Sequence, residues 1–276
     1  MCWWCVRNSA DTREHRWPRY ILERLYGRGA YLEKGGDQPV HRRGEIQSFL
    51  RSAGADVLTY RSALCSKCNN ERSQPLDLAL QKFFHYALDN RERVAQEQRI
   101  DFGEVYGASW PEGIDYLVRA FAKDLACRLA ESGTQVPEEV VALLDDGWVV
   151  HPSIATYLAL NLGVFAYPDI YPFIGKSDLE AILSTDGALR AIHYFYNVSY
   201  LRCFVGYGCR DRIVNVDRLL PGKKRVFISW GTALSEERLR AIRRIDASLG
   251  YDDIIDVTGA RSVEVPDGES TYPRPA

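Results

Sequence analysis

Apolar residues recur at helical spacing over 114–131, where Leu117, Val118, Phe121, Leu125 and Leu129 share one side and Gly133 stands as the stop; this segment predicts the clearest amphipathic helix of the chain. A second apolar face, Leu76, Leu78, Ala79, Leu80, Phe83 and Phe84, lies in a region that reads as helical from Asn69 onward, with the charged stretch 89–99 continuing it on the surface. Shorter helices are expected over 19–26, ended by Gly27, over 45–53, and from Pro137-Glu138-Glu139. The segment 29–44, with Gly35-Gly36, Pro39 and His41-Arg42-Arg43, reads as a basic loop, and 57–64 alternates as a strand.

Beyond His151-Pro152 the texture changes. Segments 154–165, 191–206 and 225–230 are rich in aromatic and β-branched residues and predict strands. Ser235, followed by Glu236 and Glu237, opens a charged helix over 235–249, and 270–276 reads as a frayed tail. The pattern as a whole predicts an α+β protein of two parts. One is a module over 1–84, and the other an α+β domain over 85–276, helical to 150 and mixed strand and helix after that.

Composition narrows the class. With 46% hydrophobic and 26% charged residues in 276, the chain has an ordinary globular balance. Its longest apolar runs fall short of the roughly 20 residues that span a bilayer. The N-terminus opens on Cys2 and Trp3 without a basic region and apolar core, so a cytoplasmic protein is expected, with no membrane partner. Charge is unevenly spread: residues 1–75 carry thirteen Lys or Arg against eight Asp or Glu, so the first quarter is basic and the remainder acidic. A basic segment of this kind suits a polyanion-binding face, although a solvated surface with excess Arg gives the same count.

Of the seven cysteines, four form two turns, Cys2-x-x-Cys5 and Cys65-x-x-Cys68, while Cys127, Cys203 and Cys209 sit in apolar or aromatic surroundings. Two such turns can close one tetrahedral zinc site, and four thiolates leave no position for water, so this zinc is expected to be structural. A redox Cys-x-x-Cys normally follows a strand in a βαβ pattern, a context neither turn has. The three other thiols suit a reducing compartment; in an oxidising one a Cys203–Cys209 disulfide is the alternative.

Glu14-His15 follows the first turn and Asn69 the second, with Arg72 one helical turn beyond Asn69. Taken singly, His15 reads as a fifth zinc-site residue or a buried structural histidine and Asn69 as a helix cap, and the charge run as a solvated face from which Arg72 alone stands out. Together with the cysteine turns they carry a pattern. Cys-x-x-Cys, Arg-Glu-His before Pro18, then Leu-Cys-x-x-Cys-Asn-x-x-Arg resembles the zinc-containing HNH endonucleases over residues 2–84. The resemblance implies a ββα-metal module in which Glu14 and Asn69 hold a catalytic Mg²⁺ or Mn²⁺, His15 is the general base, and Arg72 replaces the usual Lys. It implies hydrolysis of phosphodiester bonds in nucleic acid, DNA before RNA, with Arg13, Arg16, Arg19, Arg42, Arg43, Lys67 and Arg72 as phosphate contacts. The chain departs from the family's frequent middle Asn, having Tyr60 there.

The rest of the chain suggests less. His85, His151 and His193 are scattered, and the aromatic belt Tyr194, Phe195, Tyr196, Tyr200, Phe204 and Tyr207 reads as a half-buried sheet before a base-stacking surface. A homo-oligomer contact through this region stays open, as does a reading of the cysteine knuckle as a non-catalytic nucleic-acid or protein adaptor.

Overall fold

The computed structural model describes residues 1–29, 40–43, 46–61, 64–161, 164–165, 174–183, 189–208 and 217–230, whose regular elements are mixed helix and sheet, an α+β fold. Helix α1 (Arg19–Tyr26) has the bounds its apolar spacing predicts: Pro18 precedes its first turn, Ile21 and Leu22 are buried, and Gly27 ends it at φ 86°. Next comes a hairpin, β1 (Val40–Arg43) against β2 (Ile46–Phe49), in place of the expected end of a loop and start of a short helix. Val40, Ile46 and Phe49 favour extended backbone, and a helix as short as 45–53 does not hold by propensity alone. The rest of that loop, 30–39 and 44, lies outside the described residues.

The strand expected over 57–64 is only partly regular. A 3₁₀ turn at Asp56–Leu58 precedes two isolated antiparallel bridges, His15 with Thr59 and Thr12 with Leu64. A π-helical turn, Lys67–Arg72, then leads into α2 (Gln74–Asp89), with a proline in its first turn. Residue 84, where the sequence pattern ends the first module, lies inside α2. The charged stretch does not prolong this helix: Asn90 breaks it, and α3 (Arg91–Glu97) follows, stopped by Gln98 in the left-handed region at φ 49°. After β3 (Arg99–Asp101) and α4 (Phe102–Tyr106) comes the long helix, α5 (Trp110–Glu131), which starts ahead of 114 because Pro111 fits its first turn. Helix α6 (Glu138–Asp146) begins after Pro137 as expected.

The remaining strands are β4 (Ile154–Leu160), β5 (Ile174–Lys176), β6 (Glu180–Leu183), β7 (Leu189–Val198), β8 (Leu201–Tyr207), β9 (Arg225–Phe227) and β10 (Ser229–Trp230). Six of them make one sheet in the order β10-β4-β8-β7-β5, with β6 also on β7; β10 lies parallel to β4 and the other pairs are antiparallel. The run 191–206 expected to be extended is divided between two strands, β7 and β8, joined through Ser199 at φ 51°. β4 is buried along nearly its whole length, which explains a sequence that is apolar but for Thr156 and the Tyr157 hydroxyl, while β8 alternates, burying Leu201, Cys203 and Val205. The ninth strand pairs instead with β3, tying the late chain to the helical region. The helix expected over 235–249, the tail 270–276 and Cys209 lie outside the described residues. Cys127 and Cys203 are buried free thiols.

The buried side chains of the first 84 residues and those of the remainder form one cluster. Tyr196 shows why. Its ring meets Trp17 at 4.8 Å, Phe84 at 5.7 Å and Phe121 at 5.7 Å, so a strand of the sheet, two helices and the N-terminal segment share one aromatic contact. Tyr194, Tyr196 and Tyr200 of the aromatic belt are fully buried, as a sheet face requires.

A polar joint accompanies this packing. Asp124 of α5 accepts hydrogen bonds from Tyr60 (2.8 Å), Tyr194 (2.7 Å) and Lys176 (2.5 Å), and Lys176 also donates to the Arg16 carbonyl. Burial pulls the Lys176 amine down to about 8 despite this carboxylate. Burial also works to raise the Asp124 carboxyl, but Lys176 and Arg128 outweigh it and hold the group below its ordinary range. Asp124→Ala would leave a buried ammonium without its counter-ion and two phenols without this acceptor; a loss of about 3–5 kcal/mol is expected in urea-induced unfolding, where a loss below 1 kcal/mol would contradict this role.

Candidate functional site

The four paired cysteines converge. The sulfurs of Cys2, Cys5, Cys65 and Cys68 all lie within 4.8 Å of one another, and Cys5 and Cys65 are 3.7 Å apart. Four thiolates at about 2.3 Å from a central zinc would stand about 3.8 Å from each other, so the donor set and its spacing fit a metal ion such as zinc. Local backbone produces this approach. Val6 takes φ 54° as its N–H donates to the Cys2 carbonyl (3.0 Å), and the Cys2 N–H donates to Asn8 (2.8 Å). Asp11 accepts from the Ser66 N–H at 2.9 Å, fixing the second turn against the first. Backbone N–H groups of Arg7 and Asn8 lower the Cys5 thiol to about 6, and that of Cys68 lowers Cys65, whereas burial raises Cys68 to about 12.

The same turns bring Asn69 against the backbone of the segment that carries Glu14 and His15. Residues 12–16 run antiparallel to 58–64: the Tyr60 N–H donates to the Glu14 carbonyl (2.7 Å), the Arg16 N–H to Leu58 (2.7 Å) and the Thr12 N–H to Leu64 (3.1 Å). From the turn after Cys68, Asn69 Nδ2 donates to the Arg13 carbonyl at 3.4 Å, next to Glu14. Asn69 Oδ1 and His15 Nδ1 are buried atoms without a hydrogen-bond partner. Polar atoms left so in a protein interior are uncommon and call for an explanation.

Glu14 meets a residue that sequence reasoning missed. Lys123 of α5 reaches its Oε2 at 3.1 Å and also pairs with Asp77 of α2. Burial raises the Glu14 carboxyl, Lys123 pulls it back, and Asp77 and Asp124 add to the rise, leaving it above its ordinary value. Burial also works against the Lys123 ammonium, but Glu14 and Asp77 more than restore it. His15 is lowered, by burial first and then by Arg19 and Lys123, and so is neutral at pH 7. The available signal for Lys123 was a Lys-Asp pair inside the otherwise apolar run 120–127, and for Asp77 its spacing from Asn69.

Arg72 is engaged on the cysteine side. Its guanidinium pairs with Asp145 of α6, approaches Cys68 Sγ at 3.6 Å and lies 4.6 Å above the Trp4 ring, while Trp4 Nε1 donates to the same Asp145 at 2.7 Å. Both cysteine turns are thus anchored to one carboxylate, and Arg72, expected at a phosphate, is a clamp on the knuckle. Arg16, another expected phosphate contact, pairs with Glu131. Arg13 and Arg19 are exposed, in ion pairs with Asp56 and Glu23. His193 pairs with Glu180 on the sheet, His151 with Asp146, and His85 packs on Tyr20, all apart from this trio in their contacts. Among the described residues no helix is long and apolar enough to cross a membrane.

Metal analysis of the purified chain is expected to find a thiolate-bound ion that Cys65→Ser removes, with a fall in Tm; an ion content unchanged by Cys65→Ser would contradict a four-cysteine centre. No family model, curated protein or solved structure matches this chain.

Proposed function

We propose that the chain is a metal-dependent endonuclease of HNH type that hydrolyses phosphodiester bonds in nucleic acid, DNA before RNA, with zinc in the four-cysteine centre as its scaffold. The observation that carries this reading is that Glu14 and His15 lie on a strand pair whose following turn carries both Cys68 of the cysteine cluster and Asn69, hydrogen-bonded to the Arg13 carbonyl. The donor chemistry fits a second, catalytic ion: a carboxylate and an amide oxygen without a partner are the oxygen ligands that Mg²⁺ or Mn²⁺ takes. Glu14 and Asn69 would hold it, and a bound cation supplies charge stabilisation at the phosphate and the departing oxygen.

The chain's own residues do the rest. His15, neutral at pH 7, accepts the proton of the attacking water through a ring nitrogen. Its bridge to Thr59 fixes the backbone that aims it. The anchoring expected of a middle Asn falls to Tyr60, whose N–H holds the Glu14 carbonyl and whose hydroxyl is tied to Asp124. Exposed Arg13, Arg19 and Lys67 supply phosphate contacts.

A second reading, a non-catalytic knuckle that binds nucleic acid or protein, uses the same cysteine centre and leaves the trio inert. Plasmid nicking in Mn²⁺ separates the two. His15→Ala is expected to abolish nicking with bound zinc unchanged, and nicking that survives the substitution would overturn the assignment. The pH profile provides a further check. Because the folded chain holds the His15 pKa below its ordinary value, the acid limb of the rate should have its midpoint below the ordinary imidazole value of about 6.5, and a midpoint above it would contradict this role. The same shift makes His15 stabilising above that ordinary value, and this contribution is lost as pH falls and the unfolded imidazole takes up its proton.

A further inference from the structure

The place beside Glu14 holds a cation of the protein's own. Lys123 Nζ lies 3.1 Å from Glu14 Oε2, 3.1 and 3.3 Å from the two carboxylate oxygens of Asp77, and 3.0 Å from Ser73 Oγ, on a side chain only 3% exposed. Four oxygens from three residues around one positive centre is the ligand set of a hard divalent ion, drawn in to about 2.0–2.6 Å when the ion is Mg²⁺ or Ca²⁺. Asp77 also belongs to the helical run of Asn69. Ser73 Oγ lies within hydrogen-bond distance of both the Asn69 carbonyl and, at 3.0 Å, Asp77 Oδ2, with one proton to give to either, so Asn69, Ser73 and Asp77 follow one another turn by turn.

Helix α5 cannot easily withdraw this charge as a body. The next residue, Asp124, is locked to Lys176, Tyr60 and Tyr194, and Glu131 is paired with Arg16. Only the flexible four-carbon stem of the lysine can move its head group. The Asp77 side chain is 48% exposed, so an ion from solvent reaches the group from that side.

We propose that Lys123 is a resident counter-ion: it holds Glu14 and Asp77 together while no divalent ion is bound, and must withdraw from between them when one binds, with Asp77 as a further ligand. Helix α5 thereby sets the metal affinity of the site. The inference rests on the reading of Glu14 as a ligand of a divalent cation. Its test is a titration of the zinc-loaded full chain with Mn²⁺ alone, followed by loss of the free-ion electron paramagnetic resonance signal. Lys123→Met, an apolar side chain of similar length, removes the competing charge and should tighten Mn²⁺ binding by about tenfold or more, while Asp77→Asn should weaken it by about tenfold. A merely structural lysine would not tighten binding on removal. Folded Lys123→Met, with wild-type zinc content and circular dichroism, that binds Mn²⁺ no more tightly overturns the role of Lys123. Should that variant fail to fold, Lys123→Gln takes its place under the same criterion, and undiminished binding by Asp77→Asn overturns the shared seat. Absence of millimolar Mn²⁺ binding in wild type and variants alike overturns the reading of Glu14 itself.

Discussion

A buried charge must find its opposite, and helix α5 is the element on which that requirement bears hardest. Lys123 and Asp124 are adjacent on it, both inside the protein. Each is tolerated because another part of the chain brings a partner: Glu14 and Asp77 for the lysine, Lys176 and Arg128 for the aspartate. Through these contacts one helix binds the N-terminal strand pair, the following helix and the six-stranded sheet. Tyr196, in contact with Trp17, Phe84 and Phe121, does the same in apolar terms.

Part of the basic character of the first quarter is used in the same way. Arg16 faces Glu131, Arg24 faces Asp89 and Arg72 faces Asp145, so excess positive charge in one part of the sequence meets excess negative charge in the other. Arg13, Arg19 and Lys67 remain towards solvent near the trio, a smaller cationic surface than the count alone suggests. The cysteine centre depends on this pairing too, since Asp145 holds Trp4 of one turn and Arg72 of the other.

In the proposed nuclease the metal-binding turns act as a frame and the strand pair as the support of the reacting groups. Glu14 and Arg16 stand two residues apart and both meet α5, while His15 lies between them. Burial acts on the two in opposite directions, raising the Glu14 carboxyl that meets Lys123 and lowering the His15 imidazole.

Much of this was determined by sequence alone. Spacing of apolar residues placed α1 to the residue and α5 and α6 closely, because amphipathic periodicity is local and strong. Two Cys-x-x-Cys turns announced a four-cysteine cluster, because each turn preorganises its pair of sulfurs. The hairpin at 40–49, the break at Asn90 and the division of 191–206 into two strands were less legible, since short apolar runs carry no decisive period and turns rest on single dihedrals. Only the tertiary structure decided what the charged residues do. Lys123 and Asp77 are 46 residues apart, Arg72 and Asp145 are 73 apart, and Lys176 and Asp124 are 52 apart. No local rule pairs them: a buried ion takes whichever partner the packing of helices and sheet carries to it.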